Sequence, residues 1–414
     1  MPDPATLIVE LLAAFLVLLL ILRLAVGRVS FRLPSRPRPR RIAVIGVGGA
    51  GSNAVDAMVR SKVKGVDFIA CNTDVQALRR SRAPTKVQIG HRATGGLGSG
   101  GDPAVGRQAA EEDGPRIARA VSRTALLFVA AGLGGGTGSG AAPVVAALAR
   151  ERGALTVGVV TMPFAFEGQR RATVAAAAAA DLGLTVNTMI ALSNDRLHTV
   201  AEDGATMLDA FAVADDVLRQ VVDSITQLIS VPGLVNLDFA DLRAVLTDGG
   251  PAAFGVGHAR GDDRTVQAVR QALASPLLER GVGGARSVLF HIAGPPNLRL
   301  AEVREAADEI RGSVDAGANV IFGATIDKHL RDEVRITVIA TGLGVAAGDR
   351  TDDADGARPA ELAGLAESAG SVGPAPAAAD DLEVPTYIRS GRRARRAASQ
   401  RHDEPPPPTE PGPA

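Results

Sequence analysis

Apolar and polar positions from Arg41 to about Gly344 fall into two alternating periods. Short apolar runs, RIAVIGV (41–47), VDFIAC (66–71), TALLFVA (124–130), LTVGVVT (155–161) and MIALS (189–193), each give way to a turn signal or to residues at helical spacing. Strands alternating with helices predict a parallel sheet covered by helices. From about Ala205 to Ile229 apolar residues recur at three- and four-residue steps, through Leu208, Phe211, Leu218, Val222, Ile225 and Ile229. That pattern predicts a helix long enough to connect two domains. The runs 285–294, 318–326 and 333–341, with helical patterns between them, predict a smaller α+β domain beyond it.

The two ends of the chain follow neither period. Leu7 to Val26 reads LIVELLAAFLVLLLILRLAV, twenty residues with Glu10 near one end and Arg23 near the other. As a helix it spans about 30 Å, the thickness of a bilayer's hydrocarbon. Arg28, Arg32, Arg36, Arg38, Arg40 and Arg41 follow it with no acidic residue among them. The positive-inside rule then puts the N-terminus outside and the rest of the chain in the cytoplasm. A cleaved signal peptide is the alternative, with Ala25-Val26-Gly27 as the cleavage site, but its start should be basic and this one is acidic. At the other end, residues 345–379 are rich in Ala, Gly, Asp and Pro and read as a flexible linker. The island DDLEVPTYIR (380–389) reads as a partner-binding peptide, and a basic, Pro-rich tail (391–414) follows it.

Composition adds exclusions. With 414 residues, 46% of them hydrophobic, the chain can bury a substantial core. A formal net charge of zero gives no overall basic field to argue for nucleic acid. The single Cys71 and six scattered histidines exclude a disulfide framework and show no zinc spacing.

The candidate chemistry lies in glycine-rich segments. AGLGGGTGSG (131–140) sits between an apolar strand and the helical pattern AAPVVAALAR (141–150), so backbone N–H groups and a helix N-terminus should converge there on an anion. Thr137 and Ser139 are positioned to add hydroxyl donors. GVGGAGSN (46–53) also follows a strand and opens a helix, and alone it would be a weak dinucleotide fingerprint, with Asp74 near the place of a ribose-binding acid. A third segment, TGGLGSGGDP (94–103), favours a triphosphate over a pyrophosphate and counts against a dehydrogenase. G-x-x-x-x-G-K-[ST] is absent, so this is not a P-loop enzyme.

GGGTGSG (134–140) resembles the tubulin signature, and the chain from about 41 to 343 is similar to the FtsZ family in a colinear set of segments. Among them are NTDVQAL (72–78), MPFAFEGQRR (162–171), SNDRL (193–197), PGLVNLDFADLR (232–243) and IFGATIDKHLRDEVRITVIATG (321–342). The resemblance implies an α/β, tubulin/FtsZ-like fold, in which a parallel-sheet, Rossmann-like GTPase domain is joined by a long central helix to a smaller α+β domain. It implies phosphate loops at Gly48, Gly49, Ala50, Asn53, Gly135, Gly136, Thr137 and Gly138, and Glu167 and Arg171 beside the nucleotide. Asn194 and Asp215 match base-recognition positions, where a carboxylate accepts from both N1–H and the 2-amino group of guanine, so the substrate implied is GTP. Mg²⁺ is expected on its phosphates. Asn236, Asp238 and Asp241 match the loop that enters the pocket of the next subunit, so the active site would form on head-to-tail polymerisation. Gly95, where many relatives are basic, and Ala130, where threonine is frequent, depart from the pattern without removing an assigned group.

The chain thus divides into an anchor (1–27), a basic juxtamembrane segment (28–40), a GTP-binding domain (41–204), a central helix (205–230) and a C-terminal domain with the catalytic loop (231–344). The linker (345–379), partner peptide (380–390) and tail (391–414) complete it. The expected partners are other copies of the chain, a soluble FtsZ, a division adaptor held through Asp380–Arg389, and the membrane through 7–26. Expected functions are a membrane-anchored division GTPase or, alternatively, a slow GTP-binding scaffold that co-assembles with a soluble relative.

Overall fold

The computed structural model describes residues 41–198 and 206–343, less positions 231, 232, 236, 248, 276, 277, 279 and 280, together with Ala14 and Val17. Among these, ten strands form one sheet. They are β1 (Arg41–Val47), β2 (Asp67–Asn72), β3 (Thr85–Gln88), β4 (Thr124–Gly132), β5 (Leu155–Met162), β6 (Thr188–Ser193), β7 (Gly250–Arg260), β8 (Ser287–Gly294), β9 (Asn319–Ile326) and β10 (Glu333–Thr341). Their order is β3-β2-β1-β4-β5-β6-β7-β10-β8-β9. The first six are parallel throughout, as the alternating pattern predicts. β10 runs antiparallel between β7 and β8, and β9 is parallel to β8. Only three residue pairs, Thr188–Gly250, Met189–Pro251 and Ile190–Ala252, join β6 to β7 and so link the two parts of the sheet.

The helices of six or more residues are α1 (Gly48–Arg60), α2 (Val75–Arg80), α3 (Pro103–Glu112), α4 (Gly114–Ala120), α5 (Gly136–Arg150), α6 (Gln169–Thr185), α7 (Met207–Ser230), α8 (Phe239–Leu246), α9 (Arg264–Leu273) and α10 (Leu300–Ser313). Both faces of the parallel strands are covered, which is why they read as continuous apolar runs. Ile42 and Val44 of β1 pack with Val55 and Met58 of α1 and Val221 and Ile225 of α7. Ala43, Ile45 and Val47 point the other way, toward α3 to α6. A third cluster lies between β8, β10 and helices α9 and α10.

The central helix α7 buries Ala214, Val217, Leu218, Val221, Val222 and Ile225 at the expected spacing. Leu208 and Phe211, expected on that apolar face, are 82% and 41% exposed. Burial begins only at Ala214, so the first two turns of the helix run past the packed sheet. Cys71, at the end of β2, is fully buried, and burial, with the charge of Asp113 adding to it, pushes its thiol up to about 12.

Among the described residues no helix is long and apolar enough to cross a membrane. The expected span at 7–26 lies outside the described residues apart from Ala14 and Val17, as do 28–40 and everything from 344 onward.

Candidate functional site

β1 and β4 are neighbours, yet their crossovers leave in opposite directions, to β2 on one side and β5 on the other. Ligands in open α/β sheets bind beyond the carboxyl ends of strands at such a switch point. Here both strands run into helices without side-chain caps: α1 starts at Gly48 directly after β1, and α5 starts at Gly136 after three residues of loop. The glycine segments are therefore largely the first turns of two helices, and their leading N–H groups lack intrahelical acceptors.

Close packing sets these two helix starts against each other. Gly48 has φ +75°, and a Cβ on it would lie 2.9 Å from the Gly138 amide nitrogen. A Cβ on Gly138 would come within 2.4 Å of the Gly132 carbonyl oxygen, and one on Gly136 within 2.3 Å of Ser99 Oγ in the third glycine segment. Side chains at these positions would push the loops apart. Gly49 and Gly135 instead face open space, with nothing within 4 Å of a notional Cβ, and Ala50 and Asn53 are exposed beside Gly49. The result is a cradle of backbone amides suited to phosphate oxygens.

The hydroxyls expected to point at the phosphates have structural work as well. Thr137 Oγ1 lies 2.7 Å from Thr73 Oγ1 and 3.0 Å from Ser99 Oγ, so one buried chain of hydroxyls ties the glycine segments 94–103 and 131–140 to the end of β2. Ser139 Oγ accepts from the Gly134 amide at 2.9 Å and closes its own loop. Asp74 caps α2, accepting from the amides of Gln76 and Ala77 at 2.7 and 3.1 Å, which explains its position without a ribose.

A second cluster gathers near the start of α7. Glu167 accepts from the Phe164 amide at 3.0 Å and is ion-paired with Arg171. Asp195 accepts from the Ala165 amide at 3.1 Å and holds the 165–167 turn to the segment after β6. In that segment Asn194 is 5% exposed, and its Oδ1 has no hydrogen-bond partner among the described residues. A buried acceptor without a partner is costly, so it fits a ligand donor. Phe164 stacks on Phe166 at 4.8 Å and meets Phe211 edge-on at 5.5 Å. Phe211 lies one helical turn before Asp215. Sequence reasoning counted it as core; the signal for a site was an aromatic at i−4 from a carboxylate. Asp215 packs among α7 and α1, and burial raises its pKa to about 7, with Arg60 opposing the shift and Asp56 adding to it.

Asp238 and Asp241 are elsewhere. The 24 residues of α7 span about 36 Å, and its last residue, Ser230, packs on Gly65 just before β2, at the edge of the sheet opposite the phosphate cradle. The next segment is pinned to β9 by Val235 and Ala324, whose amides and carbonyls exchange hydrogen bonds at 3.2 and 3.1 Å. The two carboxylates then form a reciprocal helix cap: Asp241 donates its amide to Asp238 Oδ1 at 2.8 Å, and Asp238 donates its amide to Asp241 Oδ2 at 3.1 Å. Asn236 lies outside the described residues.

Residues 41–202 match the GTPase domain of the tubulin/FtsZ family, and residues 250–344 match the C-terminal domain of the FtsZ family. An empty FtsZ dimer from M. jannaschii is 40% identical to this chain, with a TM-score of 0.70 over 74% of this chain and 89% of that one. The chain belongs to the tubulin/FtsZ family. It is accordingly a GTPase, with GTP as its substrate. A second M. jannaschii FtsZ, a point mutant, gives the same identity, a TM-score of 0.69, and coverage of 73% and 91%. The GTPγS-bound protofilament of CetZ2 from Haloferax volcanii shares the fold at 23% identity, with a TM-score of 0.63 over 80% of this chain and 98% of that one.

Proposed function

We propose that this FtsZ-family GTPase is held on the membrane by residues 7–26, faces the cytoplasm, and assembles head to tail into filaments that serve cell division. The observation that carries the assembly is the separation of the site into two parts. The phosphate cradle lies at one end of the parallel sheet, and Asp238 and Asp241 lie beyond the far end of a helix about 36 Å long. In one copy they are too far apart to share a γ-phosphate, whereas in stacked copies the acidic loop of one reaches the cradle of the next. The FtsZ dimer and CetZ2 protofilament among its structural relatives support this reading.

In this arrangement Gly48, Gly49, Ala50, Asn53 and the segment Gly135–Gly138 bind the phosphates, and Glu167 and Arg171 flank the nucleotide. Asn194 and Asp215 read guanine, while Phe211 stacks on the base. Asp238, Asp241 and Asn236 orient the attacking water, since phosphoryl transfer needs chiefly positioning and charge stabilisation. The described residues hold no cluster of three or more His, Cys, Asp or Glu side chains suited to a metal ion. Mg²⁺, taken as part of the substrate, would sit on the phosphates and offset their charge. Residues 41–204 and 231–344 act as the two domains about the central helix. Residues 380–389 take a division adaptor, and a soluble FtsZ is a further partner for co-assembly.

The test is GTP turnover against protein concentration. Specific activity should rise steeply above a threshold concentration and stay near zero below it. Flat, negligible turnover at every concentration despite tight GTP binding would replace this reading with a GTP-binding scaffold.

Guanine recognition by Asp215 should also depend on pH. Two N–H donors from the base select the ionised carboxylate, but the unliganded protein holds this group at about 7. Affinity for GTP should therefore level off above neutrality and fall about tenfold per pH unit below it. Calorimetric titration from pH 5.5 to 8 would measure this, and Asp215→Asn should bind more weakly with a flat profile. A wild-type affinity independent of pH would remove Asp215 from base recognition.

A further inference from the structure

The acidic loop is fastened to the edge strand β9 at alternate positions. A Cβ on Gly233 would lie 2.4 Å from the Ala324 carbonyl oxygen, Val235 exchanges hydrogen bonds with Ala324, and Leu237 covers Gly323 so closely that a Cβ there would meet its Cδ1 at 2.8 Å. Asp238 follows directly as the cap of α8. The seat of Leu237 therefore sets where both carboxylates begin.

His291 forms one wall of that seat. Along β8, Val288, Phe290 and Ile292 pack toward α9 and α10, whereas Leu289 joins the cluster that holds Leu237 and α8, so His291 faces the acidic loop as well. His291 pairs in register with Gly323, and its Cδ2 would lie 3.3 Å from the same Cβ that meets Leu237. The two buried side chains share the space over one glycine.

A second, independent observation lies in the imidazole itself. Nε2, bonded to Cδ2 on the ring edge beside that glycine, is buried and has no hydrogen-bond partner among the described residues. Leaving such an atom unpaired is costly, and an apolar side chain of similar size would avoid the cost. Burial, with the charge of Arg335 adding to it, holds the imidazole pKa down to about 4, so the ring is neutral and Nε2 donates or accepts according to its tautomer. Arg335 is engaged elsewhere, donating to Gln227 Oε1 of α7 at 2.7 Å.

We infer that His291 is a positioning residue for GTP hydrolysis: with Gly323 it seats Leu237, and its Nε2 supplies the hydrogen bond that fixes the acidic loop once that loop enters the cradle of the next copy. This deepens the head-to-tail reading above and rests on it. His291 acts through Asp238 and Asp241, not on the nucleotide.

The test compares kcat of the full chain, assembled well above its threshold concentration, with the urea stability of the unassembled chain. His291→Leu removes the unpaired atom and keeps the bulk, so its unfolding midpoint should stay at or above that of the parent while kcat falls about tenfold and KM for GTP is unchanged. His291→Gln returns an amide atom near the place of Nε2 and should restore kcat to within about threefold of the parent. Gly323→Ala reaches the same seat from β9. Its methyl displaces the flexible end of Leu237, so the chain folds and kcat falls by a similar factor. In an Asp238→Asn background His291→Leu should add less than about a twofold loss, because the group it acts through is already gone.

Parent-level kcat in His291→Leu and Gly323→Ala, with Asp238→Asn slow, would overturn the positioning role and leave the acidic loop catalytic. Parent-level kcat in Asp238→Asn would overturn both. Loss of kcat only in proportion to lost stability, with His291→Gln no better than His291→Leu, would reduce the imidazole to core packing and overturn the inference. A full further loss in the Asp238→Asn background would also overturn it, by separating His291 from the loop.

Discussion

Asp238→Asn should lower GTP turnover in assembled protein by about 100-fold while GTP binding and folding persist, the size of loss expected when one positioned polar or charged group leaves a phosphoryl-transfer site. The choice of asparagine follows from the cap. Asp238 accepts the Asp241 amide at 2.8 Å, and asparagine caps a helix as well as aspartate does, so α8 keeps its start while the charge is removed. Asp238→Ala would mix the two roles, adding about 1 kcal/mol of lost helix stability to any chemical defect. On the proposed arrangement, in which the acidic loop serves the neighbouring cradle, a mixture of Asp238→Asn chains with chains defective in the cradle should recover turnover at those junctions where an intact loop meets an intact cradle. Single-turnover assays across mixing ratios would test this. If Asp238→Asn turned over at the parent rate, the two carboxylates would be a helix cap and nothing more.

Arg264→Met should cost about 3–5 kcal/mol of stability, the range for removing one partner of a buried ion pair. Arg264 and Glu302 are 5% and 2% exposed, and the guanidinium donates to Glu302 Oε1 at 2.8 Å, to Asp332 Oδ1 at 2.7 Å and to Asn297 Oδ1 at 3.3 Å. One side chain thus ties the start of α9 to the start of α10 and to the turn before β10. Without it Glu302 keeps only the amide and guanidinium of Arg299. Burial works to raise the Glu302 pKa, but hydrogen bonds from Arg264 and Arg299 outweigh it and hold the carboxyl below its usual range. A depressed carboxylate contributes stability above its unfolded pKa and loses it as pH falls through the folded one. The gap between parent and variant should accordingly be widest at neutral pH and narrow in acid. Urea unfolding at both conditions measures it, and a gap of under about 1 kcal/mol at neutral pH would mean that the surrounding core replaces the ion pair at little cost.

The parallel half was readable because its strands are buried on both faces and its helices carry a clear 3.6-residue period. β7 was missed since its sequence, GPAAFGVGHAR, lacks the β-branched density of a strand. The reason is packing. Notional Cβ atoms on Gly255 and Gly257 would lie 2.2 and 1.9 Å from the carbonyl oxygens of Ala272 and Ala268, so α9 leaves no room for side chains there. β3 was missed because four residues, TKVQ, are too few to show a period. At the candidate site the glycine segments were legible as a phosphate cradle from composition and position alone. At the proposed base-reading end Asn194 and Asp215 came only from the family resemblance, and Phe211 was passed over, since it has the spacing of a core residue and only the length of α7 beyond the sheet exposes it. The acidic pair is a further case: D-x-x-D gave no sign of capping one another, because only the backbone conformation at Asp238 brings the two amides within reach.

The state of Cys71 has a practical consequence for watching this protein work. A fully buried thiol pushed up to about 12 is almost entirely protonated at neutral pH, and maleimides and disulfide reagents require thiolate and access. A cysteine introduced on the surface would therefore be the only fast-reacting one, and fluorophores or spin labels could be placed singly without removing the native residue. Pairs of dyes on neighbouring copies would then report the length and turnover of filaments in real time, on a protein whose interior chemistry has been left untouched.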